Sequence, residues 1–260
     1  MNQHKEGEPD DRKPSRKIAD ELRHAIETGE LAPGSKLQSE RELAEKHGTA
    51  RNTARAAIQL LAEEGLVTPE HGRGVFVRKQ QPLIRLGNDR YSHKYRGTGL
   101  SPFLLECAKQ GKTGRFEVLS IERIQPPADV AERLGVSDKT KSVLRRENVF
   151  WADDDPVQRV TTYIPWTLAR GTGLLQEDIP HQYGIHGVFE DKGHVMHRIR
   201  EEISARMPRA EEARHLRTPP GVPVIDVLHT SLDQTGNAYE LTRFVMRADM
   251  TGLLYDVPVE

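Results

Sequence analysis

The stretch that most constrains the fold is residues 48–77, GTARNTARAAIQLLAEEGLVTPEHGRGVFV. At 100° per residue, Ala50, Ala54, Ala57 and Leu61 gather on one side of a helix, flanked by Ile58 and Leu60. Arg51, Asn52, Arg55 and Gln59 fall on the opposite arc. The small alanines let such a helix sit close to its neighbours, and Gly65 stops it. Leu66-Val67-Thr68 and Val75-Phe76-Val77 then read as two short strands joined through Pro-Glu-His-Gly-Arg-Gly.

Two further helices precede this one. In SRKIADELRHAIET, Ile18, Leu22, Ala25 and Ile26 recur at helical spacing, with Ser15 as the expected N-cap and Gly29 as the stop. After the Pro33-Gly34 turn, Ser39-Glu40-Arg41-Glu42 reads as a capping box. It opens a short helix that buries Leu43 and Ala44 and ends at Gly48. The order is helix, helix, helix, β-hairpin, a winged helix-turn-helix, assigned to residues 15–78.

Residues 1–14 have charge but no apolar core, so they read as a disordered tail rather than a signal peptide. Residues 79–97 are polar, basic and weakly patterned, and read as a linker with two alternatives: a solvated connection or a DNA-backbone contact. Residues 98–260 form the second domain. From Gly114 onward strands alternate with short helices. RFEVLSIERI and VMHRIREEISAR are strands, and DVAERLGV, YGIHGVFEDKG and RAEEARHLR are helices. Two hairpins turn at Asp153-Asp154-Asp155 and at Gln234-Thr235-Gly236-Asn237. Hairpin-joined strands imply a mainly antiparallel sheet with packed helices, so the chain as a whole is α+β. It contains no internal repeat.

The formal net charge of -1 excludes a basic binder that uses its whole surface, but not a local basic face. From Arg12 to Lys79 there are 13 Lys/Arg against 10 Asp/Glu, so arrangement has to do what total charge does not. A helix fits the major groove, and Arg51 and Arg55, at i and i+4, can each pair bidentately with guanine. Asn52 and Thr53 reach bases or phosphates from the helix start, where free N–H groups also favour an anion. Arg41 is placed for a phosphate. His71 and Arg73 can enter the minor groove, with glycines such as Gly72 letting the backbone approach. The alternative is that Arg51 and Arg55 are ordinary solvated arginines, which leaves the caps, turn and Gly-rich wing unexplained.

Residues 15–77 resemble the N-terminal domain of GntR-family transcription regulators. The residues carrying the resemblance include Ile18-Ala19, Gly29-Glu30-Leu31, Pro33-Gly34-Ser35-Lys36-Leu37 and Ser39-Glu40-Arg41-Glu42-Leu43-Ala44. Arg51-Asn52-Thr53-Ala54-Arg55, Glu64-Gly65-Leu66 and the Gly72-Arg73-Gly74 wing complete the series. It implies DNA contacts by Arg41, Arg51, Thr53, Arg55, His71 and Gly72. Asn52 stands where many members carry Thr, and Ala54 where Val or Leu is common.

Residues 98–255 are similar to the effector domain of the HutC-type branch (UTRA), whose fold is like that of chorismate lyase. Tyr163-Ile164-Pro165, the unit 183–204 and Gly236-Asn237-Ala238-Tyr239-Glu240 carry this likeness, while Ala248 and Met250 depart from the usual close. The resemblance implies an allosteric repressor that dimerises through this domain and is controlled by a small molecule. With the single cysteine fitting a reduced cytoplasmic setting, the leading reading is a cytoplasmic homodimeric repressor of a near-palindromic double-stranded operator. The arginines that hold phosphate in members sensing amino-sugar phosphates fall on Asn148 and Phe150 here. The hydroxyl positions fall on Gln182 and Gly184, and a carboxylate position falls on Val160; Glu240 is kept. Strand alternation puts Asn148, Phe150, Val160, Thr162, Glu240, Thr242, Phe244 and Met246 on one face. That face reads as largely apolar with one carboxylate. The expected effector is uncharged or cationic and not a sugar phosphate. A pocket elsewhere, or a vestigial one, is the alternative.

Other chemistry finds little support. The single cysteine, Cys107, excludes an internal disulfide and reads as a buried small hydrophobe. His181, His186, His194 and His197 cluster in sequence, but without a spacing that puts ligands on one face, so neither a metal nor a cofactor is expected. No P-loop, dinucleotide fingerprint or nucleophile motif occurs, and no apolar run of about 18 residues could span a membrane. The rival readings are a lyase-like enzyme and a constitutive repressor without a ligand.

Overall fold

The structure, a computed structural model, describes residues 13–78, 82–179 and 184–257, without the side chains of residues 88, 89, 93 and 96. Of residues 1–14, read as a tail, 1–12 lie outside the described residues, whereas Lys13 caps and Pro14 opens the first helix. The chain divides into two compact units, Met1–Gln80 with Pro219–Val222, and Gln81–Thr218 with Pro223–Glu260.

In the first unit α1 spans Pro14–Glu27, α2 Glu40–Lys46 and α3 Arg51–Glu63. The hairpin is β1 (Val67–Glu70) against β2 (Gly74–Val77), antiparallel with Val67 opposite Val77. Ile18, Leu22, Leu43, Ala54, Ala57 and Leu61 form the core, and Val67 and Val77 close it from the hairpin. Two local expectations need correcting. Ser15 is not the N-cap of α1: Lys13 is, because Pro14 takes the first helical position, where its fixed φ is pre-organised and no N–H is lost. Ala50 is not part of the inward face, since it is the exposed N-cap of α3, outside the helical arc.

The second unit begins with β3 (Leu83–Leu86), followed by two 3-10 turns, Asn88–Tyr91 and His93–Thr98, and by α4 (Pro102–Lys109). β3 runs parallel to the last strand, which removes the linker reading of residues 79–97 from Leu83 onward. Leu83 and Arg85 are buried there, and Arg90 is held in an ion pair with Glu106 of α4. These basic residues are committed to the protein interior. The helix α4 carries no expectation from the sequence, although Ser101-Pro102 opens it and Phe103 and Cys107 bury its inner side.

Next come β4 (Gly114–Ile124), α5 (Ala128–Leu134), β5 (Val143–Ala152), β6 (Asp155–Pro165) and the single turn α6 (Trp166–Ala169). They are followed by α7 (Gly184–Asp191), β7 (Met196–Arg206), α8 (Ala210–His215), β8 (Val224–Asp233), β9 (Ala238–Arg247) and β10 (Thr251–Leu254). Six strands make one sheet in the order β4-β5-β6-β9-β8-β7, every neighbour antiparallel. The β5–β6 turn sits on Asp153 at φ 55, a left-handed position that Asp tolerates. The helix α5 packs Val130 and Leu134 onto Val143 and Leu241, while α7 packs Phe189 beside Tyr239. The arrangement is the expected α+β one. No helix among the described residues is long and apolar enough to cross a membrane.

Candidate nucleic-acid interface and effector cavity

The basic residues selected from the sequence lie on α2, α3 and the hairpin tip of the first unit. Ser39 caps α2 through the full capping box: its hydroxyl accepts from the Glu42 N–H at 3.3 Å, and its own N–H donates to Glu42 Oε2 at 2.7 Å. The helix α3 has no side-chain cap, since Ala50 offers none; the Thr53 N–H donates to Ala50 O at 2.9 Å, which leaves the Arg51 and Asn52 N–H groups open to an anion. Arg51 and Asn52 are exposed on that turn, and Thr53 is half-buried.

Arg55, one turn on, is exposed but not idle. Its Nε and Nη2 each donate to Glu40 at 2.8 Å. That hydrogen-bonded pair holds the Glu40 carboxyl below its usual range. Arg41 is 72% exposed, with Glu45 3.7 Å away, and is less committed than Arg55. At the hairpin tip His71, Gly72 and Arg73 are exposed; Arg73 pairs with Glu70 and lies over the Phe76 ring. Gly72 sits at φ 73, where a side chain would strain the turn. All eight sequence-selected residues therefore lie in the α2–α3–hairpin unit, on exposed or half-buried positions, and none is part of the core.

The second unit holds a cavity of about 420 Å³ against one face of the sheet. Of the eight residues placed on that face by alternation, Asn148, Phe150, Val160, Thr162, Glu240, Thr242 and Phe244 line it. Met246 does not. It is fully buried in a cluster with Val160, Val227 and Phe244, against which Ile225 of the neighbouring strand and Leu253 of β10 pack. Gly184 is on the wall, whereas Gln182 and His181 lie outside the described residues.

The reading of this face as apolar with one carboxylate is also corrected. Arg90, Arg146, Glu177, Asp178 and His186 join the wall. Arg146 was reachable by the same alternation, two residues before Asn148. Arg90 was not, because its stretch looked like linker. Neither arginine is idle. Arg90 faces Glu106. Arg146 Nη1 donates to the Leu174 and Gln176 carbonyls, the latter at 2.7 Å, and Nη2 to Glu177 O at 3.2 Å. Burial pushes Arg146 below its ordinary value, with the charge of Glu177 opposing.

Glu240 is 4% exposed. Its Oε1 accepts from Thr242 Oγ1 at 2.7 Å and its Oε2 from Ser231 Oγ at 2.9 Å. Ser231 Oγ lies 3.0 Å from His229 Nε2, and His229 Nδ1 lies 2.9 Å from Glu201. Arg85 Nη2 completes the chain at 2.6 Å from Glu201, and Tyr255 donates to the other Glu201 oxygen. Burial works against the Glu201 charge, yet His229 and Arg85 hold that carboxyl down to about 2. Sequence reasoning missed His229 and Ser231. Their only signal is alternation on β8, where i and i+2 share a face.

The remaining candidates resolve separately. His194 bonds Asp233 at 2.9 Å, His186 belongs to the cavity, and His197 is exposed. Among the described residues no group of three metal-ligating side chains comes together. Cys107 is fully buried, with its thiol pushed up to about 12 by burial.

Comparison with known proteins fits both halves. Residues 14–77 match the model of bacterial regulatory proteins of the gntR family, and residues 109–251 match the UTRA domain. An HTH-type transcriptional regulator of Streptomyces coelicolor is 30% identical over 94% of this chain and 92% of its own length. The HTH-type transcriptional repressor NagR of Bacillus subtilis is 30% identical over 89% of each chain. The crystal structure of PhnF from Mycobacterium smegmatis shares the fold, with 22% identity, a TM-score of 0.59, and coverage of 94% of this chain and 100% of that one. The Streptomyces and Bacillus relatives are named as transcriptional regulators, not enzymes. The chain belongs to the GntR family of bacterial transcriptional regulators, in the branch that joins a DNA-binding helix-turn-helix to a UTRA effector domain.

Proposed function

We propose that the chain is a homodimeric repressor that binds a near-palindromic operator in the cytoplasm and answers to a small molecule other than a sugar phosphate. Residues 15–78 supply the DNA-binding domain and the unit that begins at β3 supplies the effector and dimerisation domain. Arg51, Asn52, Thr53 and Arg55 read the major groove, Arg41 holds a phosphate, and His71, Gly72 and Arg73 enter the minor groove. Two such units on one dimer address half-sites about one helical turn apart. The exposure of these residues and the uncapped start of α3 support this reading. A repressor among the relatives supports the sign of the regulation.

Asn148, Phe150, Val160, Thr162, Glu240 and Phe244 contact the effector. Met246, buried in the cluster against which Leu253 of β10 packs, drops from that set. One observation carries the exclusion of sugar phosphates. A phosphate in a cavity needs charge-assisted donors, the strongest being arginines with free N–H groups. Here each wall arginine is already held by the protein, Arg90 by its counter-ion Glu106, with only its buried Nε unpartnered among the described residues, and Arg146 by three carbonyls. Titration with glucosamine-6-phosphate and N-acetylglucosamine-6-phosphate tests it. No saturable binding and no release of operator DNA is the expected result; micromolar binding that frees the DNA overturns it.

A further inference from the structure

The reading of the cavity as the effector site leaves the ligand's charge open. Resting on that reading, we propose that the effector is an organic cation: an amine on a compact apolar body, its ammonium group seated on the Glu240 carboxylate.

Glu240 brings a buried charge to the cavity wall, and its hydrogen-bond partners are the uncharged hydroxyls of Thr242 and Ser231. Among the described residues, the only basic group within ion-pair range is His186, with Nδ1 3.9 Å from Oε2. Burial pushes His186 down to about 4 despite the nearby carboxylate, so its ring is neutral at physiological pH. Glu106 neutralises Arg90; Arg146 bonds three uncharged carbonyls, and its single positive charge is set against Glu177, Asp178 and Glu240, the first two at an exposed part of the wall. The charge left over on this wall is therefore negative. An ionised carboxylate out of water is costly unless paired. An ammonium group supplies both the opposite charge and three N–H donors. A neutral hydroxyl supplies no charge, and an anion worsens the balance.

The carboxylate is also held in place before any ligand arrives. Ser231 fixes Oε2, and His229, Glu201 and Arg85 fix Ser231 in turn. Such pre-organisation spares a ligand the cost of ordering its partner. The apolar body has its own surface. Phe103, Phe116 and Phe150 sit with ring centroids 4.6 to 5.8 Å apart, and Phe116 remains 43% exposed. The cavity volume of about 420 Å³ falls within the range typical of small-molecule sites.

The test is calorimetric titration of the full-length protein at neutral pH with four molecules sharing one body: cyclohexylamine, cyclohexanol, cyclohexanecarboxylate and cyclohexyl phosphate. The amine is expected to bind at least about ten-fold tighter than the alcohol, with both anions weaker still. Glu240→Gln is expected to erase the preference for the amine over the alcohol. If that variant does not melt cooperatively, Glu240→Asp replaces it, and the amine keeps its rank because the charge is kept. Equal binding of amine and alcohol, a preference that survives Glu240→Gln, or no saturable amine binding overturns the cation assignment alone. Tightest binding by the phosphate overturns it together with the exclusion of sugar phosphates.

Discussion

The two units of this protein treat charge in opposite ways. In the first, Arg41, Arg51 and Arg73 stand in solvent, and even the Arg55–Glu40 pair is solvent-facing. In the second, Arg85, Arg90, Glu106, Glu201 and Glu240 are withdrawn from water into fixed hydrogen-bond sets. A polyanion such as DNA can take over an exposed arginine at little cost, because an exposed ion pair is worth about 1 kcal/mol or less. A buried pair cannot be borrowed in that way, because breaking it strands a charge. The contrast explains how a chain with net charge -1 reads DNA: only the exposed charges count toward the operator.

The contrast can be broken most directly at Glu106. It accepts from Arg90 and, at 2.9 Å, from the Leu86 N–H. Glu106→Ala is expected to cost about 3–5 kcal/mol of stability in chemical denaturation. A loss under about 1 kcal/mol would show that these charges are not structural.

A comparable effect is expected from pH at His186. In the folded chain it takes up a proton only near pH 4, whereas its ordinary value is 6.5. Between those values the unfolded chain binds more protons, so stability falls as pH falls through that window, by about 3 kcal/mol in total. His186→Gln should flatten this part of the pH profile; an unchanged slope would move the effect to another group.

In the first unit the expected effects are smaller. Ser39→Ala removes the α2 cap and should cost about 1 kcal/mol by thermal or chemical melting. Glu40→Gln should leave stability nearly unchanged and tighten DNA binding a few-fold by releasing Arg55. Weaker binding after Glu40→Gln would mean that the pair orients Arg55 for the DNA rather than restraining it.

What the sequence made legible follows the same divide. The winged unit is built from local signals: Ser39 and Glu42 three residues apart, alanines at helical spacing in α3, and glycines that end each helix. The cavity face was legible through β alternation, which placed seven residues correctly on its wall. Met246 followed the same alternation but is buried in a cluster packed against by a strand that pairs outside the main sheet. β3 escaped because its four residues acquire meaning only from β10, and Arg85 is buried only because Glu201 receives it across 116 positions of chain. Long-range pairing of charges leaves no periodic trace, so the stretch around Arg85 and Arg90 looked like solvated linker.

The central claim is that the exposed arc of α3 reads DNA. It is tested most directly by binding of the full-length protein to its selected genomic operator fragment across a salt series, wild type against Arg51→Ala. The predicted result is a steep linear loss of affinity with log salt, and a further loss of about 1–3 kcal/mol with relaxed base preference in the variant. Wild-type operator affinity in Arg51→Ala at physiological salt would contradict the assignment of α3 as the recognition helix.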